Sequence, residues 1–256
     1  MVVSPVSASM FGCEHIALDL GGRTILEDIS IAVGPGDVLG IIGPNGAGKT
    51  SLFEVLSGRR APKSGVVRMR GRDVTRLPLH QRARLGIGRT FQTPVVPDEL
   101  TVAEVLKGAR QAYRPYLTPD DAEWGAALVN FSVSGKVRAE ALDTLNRRKL
   151  LLTCLLMRRP SVLLMDEPAA GLINSEIDEL DEILRVLAKE LGVAVIIVEH
   201  RIELLETIAD RVVVMDAGHV IAQGSMADVL VDPRVREAYF DNAPDHAPHE
   251  PAGALQ

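Results

Sequence analysis

Cysteine is scarce in this chain, and the two present, Cys13 and Cys154, form neither a CxxC pair nor a Cys/His spacing suited to zinc. That excludes a disulfide framework and a zinc module, and reduced thiols are expected. Long apolar runs are missing too: the longest, such as residues 150–157, are too short to cross a bilayer. The opening MVVSPVSASMFGC has no basic region and no long apolar stretch, so no secretory signal is read there. Any work at a membrane is therefore expected to go through a partner. Positive charge is not in excess either. With 28 Lys and Arg against 34 Asp and Glu, the net charge of −6 excludes a dedicated nucleic-acid binder, whose affinity rests on clustered bases. The arginines between residues 59 and 89 are read as solvated strand and helix faces.

What is present is an ordinary globular composition, 46% hydrophobic and 24% charged over 256 residues, which fits one large domain or a core with an inserted lobe. Apolar runs at 16–20 and 25–33 flank the Gly21-Gly22 turn and predict antiparallel strands, and 38–42 predicts a short buried strand. A helix over 49–56 follows, then an alternating edge strand over 65–71 and a helix over 78–85. From about 93 to 159 the pattern turns helical, with a capping box at Thr101 and Glu104 and a start signal at Thr118-Pro119. Strands at 162–165 and 193–198, helices from 174 and from 202, and a hairpin over 211–223 complete an α/β core. The stretch 241–256 is rich in Pro, Ala and Asp without periodicity and is expected to be a disordered tail; His246 and His249 are read as its composition, not as metal ligands.

Residues Gly43-Pro44-Asn45-Gly46-Ala47-Gly48-Lys49-Thr50-Ser51 fit G-x-x-x-x-G-K-[ST] between a predicted strand and a predicted helix. Gly46 and Gly48 let successive N–H groups turn toward a phosphate at a helix N-terminus. Lys49 would reach the β- and γ-phosphates of ATP, Thr50 would give a hydroxyl to Mg²⁺, and Ser51 would bond the α-phosphate. The apolar run SVLLMDEP puts Asp166 and Glu167 at the carboxyl end of a strand, where such sheets hold ligands. Asp166 is then expected on Mg²⁺ through water, and Glu167 on the attacking water. His200 follows the run VAVIIVEH and should emerge at the same sheet edge.

The phosphate loop, Gln92 ending an expected strand GRTFQ, the helical stretch, DEPAAGL and VEH stand in the order that resembles the nucleotide-binding subunit of ABC transporters. GIGRTFQ, ELTVAEVL, IADRVVVMDAGHVIAQG and DPRVREAYF are similar to its branched-chain (hydrophobic) amino acid uptake branch. The resemblance implies a P-loop NTPase core of ABC type over 14–240, with an N-terminal antiparallel β subdomain and an inserted α-helical subdomain at about 93–159. It implies ATP hydrolysis with Glu167, His200 and Gln92 as catalytic residues and with Thr50, Gln92 and Asp166 toward Mg²⁺. Transmembrane permease subunits, a second ABC ATPase and, indirectly, a solute-binding protein are the implied partners, at the cytoplasmic face of the membrane.

Several positions depart from the family pattern. Leu20 stands where the family stacks an aromatic residue on adenine. The Leu-Ser-x-Gly-Glu/Gln signature is replaced by Leu142-Asp143-Thr144-Leu145-Asn146, so that a carboxylate expected to cap its own helix and repel the anion stands where a serine would donate to phosphate, and Leu145 stands where a glycine permits close approach. Ile173-Asn174 replaces Asn-Pro, and Arg201 replaces an aspartate. A heterodimer follows as an expectation, this chain's loop meeting an intact signature on a partner ATPase. A subunit that binds ATP and hydrolyses little is the alternative, with Asp143, Leu145 and Leu20 behind it and Glu167 and His200 against it. A DNA-maintenance ATPase would need coiled coils or zinc fingers that the sequence lacks.

Overall fold

The computed structural model describes residues 9–91 and 96–238; the expectations for Gln92 and the tail lie outside them. Among the described residues ten strands form two sheets. The first is antiparallel: β1 (Phe11–Leu20) and β2 (Arg23–Val33) pair as a hairpin, and β1 also pairs with β4 (Ser64–Met69). β4 is bordered on its other side by the two residues of β5 (Arg72–Asp73), so it is an edge strand except at its end. The second sheet runs β10 (His219–Gly224), β9 (Arg211–Asp216), β3 (Val38–Ile42), β8 (Ala194–Val198), β7 (Val162–Asp166), β6 (Ile87–Arg89), and only β10 is antiparallel to its neighbour.

The short apolar runs of β3, β7 and β8 are buried at every residue because this sheet is covered on both faces. Alternate side chains feed two cores. Leu39, Ile41, Leu164 and Ile196 join one with the antiparallel sheet and α1 (Lys49–Ser57). Ile42, Leu163, Met165 and Ile197 join the other with α6 (Asn174–Arg185), α7 (Ile202–Ile208) and three further helices. Those three are α3 (Val102–Gln111), α4 (Pro119–Leu128) and α5 (Thr144–Leu156). The capping box at Thr101 forms as the sequence predicts, and the helix start expected at Thr118 proves to be a capping box as well, closed by Asp121. α8 (Met226–Val231) and α9 (Pro233–Arg236) pack against β10. Among the described residues no helix is long and apolar enough to cross a membrane.

Two arginines correct the reading of 59–89 as solvated faces. In α2 (Leu79–Arg84), Arg82 is 1% exposed and donates to the carbonyls of Val55, Leu56, Thr75 and Leu77 at 2.7–2.9 Å. A cation placed on the last carbonyls of α1 meets the negative end of that helix with its donors satisfied, which offsets its desolvation. Arg89 is also buried, donates to Ser57 Oγ at 2.7 Å, and stands 3.8 Å from Asp166 Oδ2. Other differences lie in boundaries. The strand expected to run to Gln92 ends at Arg89, and α6 passes into a π-helical turn at Val186–Glu190 before Gly192.

Candidate functional site

β3 delivers the chain directly into the glycine loop, and α1 begins at Lys49. Gly46 and Gly48 sit at φ 85 and 100, in the left-handed region that favours glycine. At Gly48 a Cβ would stand 2.7 Å from Leu26 Cδ2 and 3.0 Å from the Ile25 carbonyl, so the turn also needs a residue without a side chain. Lys49 is 7% exposed, and its ammonium donates to the Gly43 carbonyl at 2.6 Å and the Pro44 carbonyl at 3.0 Å. Burial pulls its pKa down while the charges of Glu167 and Asp166 hold it up. The loop from Asn45 to Ser51, with Ile25, Glu167 and His200, lines an open cleft of about 440 Å³.

β7 ends at Asp166, which is 4% exposed. Burial raises its carboxyl above the usual range, against the opposing pull of Arg89 and Lys49. Glu167 follows at φ 47, an unusual conformation outside glycine, with its amide bonded to the Val198 carbonyl at 2.9 Å. Its Oε1 lies 3.1 Å from His200 Nε2. The structure thus brings Lys49, Thr50, Glu167 and His200 to one cleft at the carboxyl edge of the parallel sheet, with Asp166 buried beside it.

Two side chains that the sequence reading gave no role meet the loop carrying Glu167. Arg148 of α5 donates to the Glu167 carbonyl at 3.2 Å and also to the Ala170 carbonyl. Glu199, 2% exposed, accepts from the Ala169 amide at 2.7 Å and from the His200 amide at 3.1 Å. An acid beside His200 in VEH was the only sequence signal for Glu199, and nothing in the local pattern marked Arg148.

The altered signature segment sits at the start of α5. Asp143 is its N-cap, with Oδ1 accepting from the Asn146 amide at 2.7 Å and Oδ2 from the Asn146 side chain at 2.8 Å. Its carboxylate therefore fills the anion position that this helix start offers. Leu145 packs on the core. Ile173 is 66% exposed, and the Asn174 side chain accepts from Arg201 at 3.2 Å.

Residues 26–170 match the family described as ABC transporter, and residues 219–240 match that described as branched-chain amino acid ATP-binding cassette transporter. The chain is 32% identical over 245 residues to the high-affinity branched-chain amino acid transport ATP-binding protein BraF of Pseudomonas aeruginosa, spanning 89% of this chain and 96% of that protein. It is 29% identical over 255 residues to LivG of Escherichia coli, named for the same transport, spanning 93% and 100%. A third relative is the lipopolysaccharide export system ATP-binding protein LptB of Acidithiobacillus ferridurans, 30% identical over 220 residues and spanning 85% and 91%. A solved nucleotide-free ATP-binding cassette from an ABC transporter superposes with TM-score 0.81 at 29% identity, covering 90% of this chain and 98% of that one. The ADP conformation of MJ1267, an ATP-binding cassette of an ABC transporter, gives the same values.

Proposed function

The chain belongs to the ABC transporter ATP-binding family, and on that premise we propose that it energises an importer of branched-chain amino acids or related small solutes. It is the ATP-binding, ATP-hydrolysing subunit of a transporter and works with transmembrane permease components. Import is favoured over export by the match of residues 219–240 and by the similarity to BraF and LivG, LptB being a relative named for export. In this reading the chain sits at the cytoplasmic face of the membrane, and a solute-binding protein delivers cargo to the permease.

One observation carries the chemistry: Glu167 and His200 meet at 3.1 Å beside the glycine loop. The N–H groups of that loop cradle the phosphates, Lys49 lies against the β- and γ-phosphates, and Ser51 bonds the α-phosphate. Glu167 orients the attacking water and takes its proton, while His200 steadies the γ-phosphate as the bond to ADP breaks. Gln92, outside the described residues, is assigned to the metal or the water on the family resemblance alone. No group of three or more His, Cys, Asp or Glu side chains among the described residues could hold a metal. The Thr50 hydroxyl and, through water, the Asp166 carboxylate would instead hold Mg²⁺, an oxygen-seeking cation for which few protein ligands suffice. Its chemistry there would be to offset the negative charge of the phosphates.

Asp143 supports a heterodimer. A carboxylate already bonded to the α5 amides repels a phosphate presented by an opposite subunit, so this chain's signature face serves a weak composite site. Its own loop then needs an intact signature from a second ATPase. The reading is tested by uptake of labelled leucine, isoleucine and valine in cells whose only copy of this chain is wild type or Glu167→Gln. Uptake is expected to be lost in the variant; undiminished uptake of all three solutes would refute the assignment.

A further inference from the structure

Glu199 lies between the end of β8 and His200 with 2% of its surface exposed. A carboxylate held out of water needs charged partners or several N–H donors. Oε1 takes the Ala169 amide, on the loop after Glu167, and Oε2 takes the His200 amide. Backbone amides of two separate loops thus converge on one buried group.

A second side chain also holds the loop from Glu167 to Ala170. Arg148 binds the carbonyls of Glu167 and Ala170 while Glu199 binds the amide of Ala169 between them. Glu167 itself sits at φ 47, a conformation that a non-glycine residue keeps only where its surroundings over-determine it. The two loops anchored on Glu199 are the two that carry Glu167 and His200.

We propose that Glu199 is a positioning residue for ATP hydrolysis, its buried carboxylate setting Glu167 and His200 at contact distance by binding the backbone of both loops. This rests on the reading of Glu167 and His200 as the residues that act on water and γ-phosphate. Glutamine at this position keeps the size but offers one acceptor oxygen, and its NH₂ group faces an amide N–H, so one loop loses its anchor.

The test uses full-length Glu199→Gln and wild type in two measurements. The first is ATP hydrolysis by the complex that the chain forms with its permease and partner ATPase. The second, on the isolated chain, is ATP affinity, thermal melting and residue-resolved amide exchange. Expected are a fall in kcat of about tenfold or more with KM and ATP affinity held within about twofold. Exchange at Ala169 or His200 should accelerate while β7 and β8 stay protected. Unchanged kcat, unchanged exchange at both amides, or a kcat loss matched by loss of ATP affinity would each overturn the proposal. Glu167→Gln in the same assay separates the two claims. If it leaves kcat intact, the underlying site reading fails; if it abolishes kcat while Glu199→Gln does not lower it, only the role of Glu199 fails.

Discussion

Cys13 is wholly buried in the antiparallel sheet, its Sγ 3.7 Å from the Ile29 carbonyl, and Cys154 is half-buried on α5. Burial pushes both thiols from 9.0 up to about 12. An acid whose folded pKa lies above its unfolded value contributes stability that is full below the unfolded value and is lost as pH rises toward the folded one. The window here runs from about 9 to about 12. Two outcomes are expected. The native chain resists thiol alkylation at about pH 8, where the unfolded chain is labelled, and its denaturant midpoint falls on going from about pH 8 to about pH 11. Rapid labelling of both native cysteines, or a midpoint indifferent to that change, would show the burial to be wrong. Residues of this kind mark the limit of what the sequence discloses. Lys49, Asp166, Glu167 and His200 were legible because each has a fixed place beside a strand end or a helix start. Arg82, Arg89, Arg148 and Glu199 were not, because each is held in part by a group far along the chain: the Val55 carbonyl for Arg82, Ser57 Oγ and Asp166 for Arg89, the Glu167 carbonyl for Arg148 and the Ala169 amide for Glu199.

At the scale of elements, α5 carries the most telling departure. Asp143 ends an extended segment and caps the helix through Asn146, so its loss removes a cap while leaving a serine room to replace it. Asp143→Ala is expected to cost about 1 kcal/mol of stability and Asp143→Ser no more than a few tenths, read from denaturant midpoints. Equal losses in both variants would mean that the carboxylate charge, not the cap, matters. The same element shows why the sequence read well here: Asp before a helix-forming run is a start signal whatever lies around it. Boundaries read less well where tertiary contacts decide them. β1 begins at Phe11, ahead of the alternation that starts at Ile16, because Phe11, Gly12 and Cys13 pair with both β2 and β4. β6 stops at Arg89 where its pairing with β7 ends. α9, four residues long from Pro233 and capped by Asp232, is too short to show a period.

Over the whole molecule, the parallel sheet separates two cores and presents the ends of β3, β7 and β8 at one edge, where the glycine loop, Asp166-Glu167 and Glu199-His200 gather. The order of strands β3, β8, β7 explains that gathering, since three neighbouring parallel strands must release their carboxyl ends side by side. In the proposed reading this site makes up one half of a catalytic centre, and the helix start that would complete another is capped by Asp143. The most direct measurement is ATP binding and hydrolysis by the purified chain, alone and with the second ATPase of its transporter, in wild type and Glu167→Gln. Hydrolysis that appears with the partner and falls about 100-fold or more in Glu167→Gln, with ATP still bound, is the predicted result. Brisk hydrolysis by the chain alone, or tight ATP binding without hydrolysis under either condition, would contradict a catalytic half-site completed in trans.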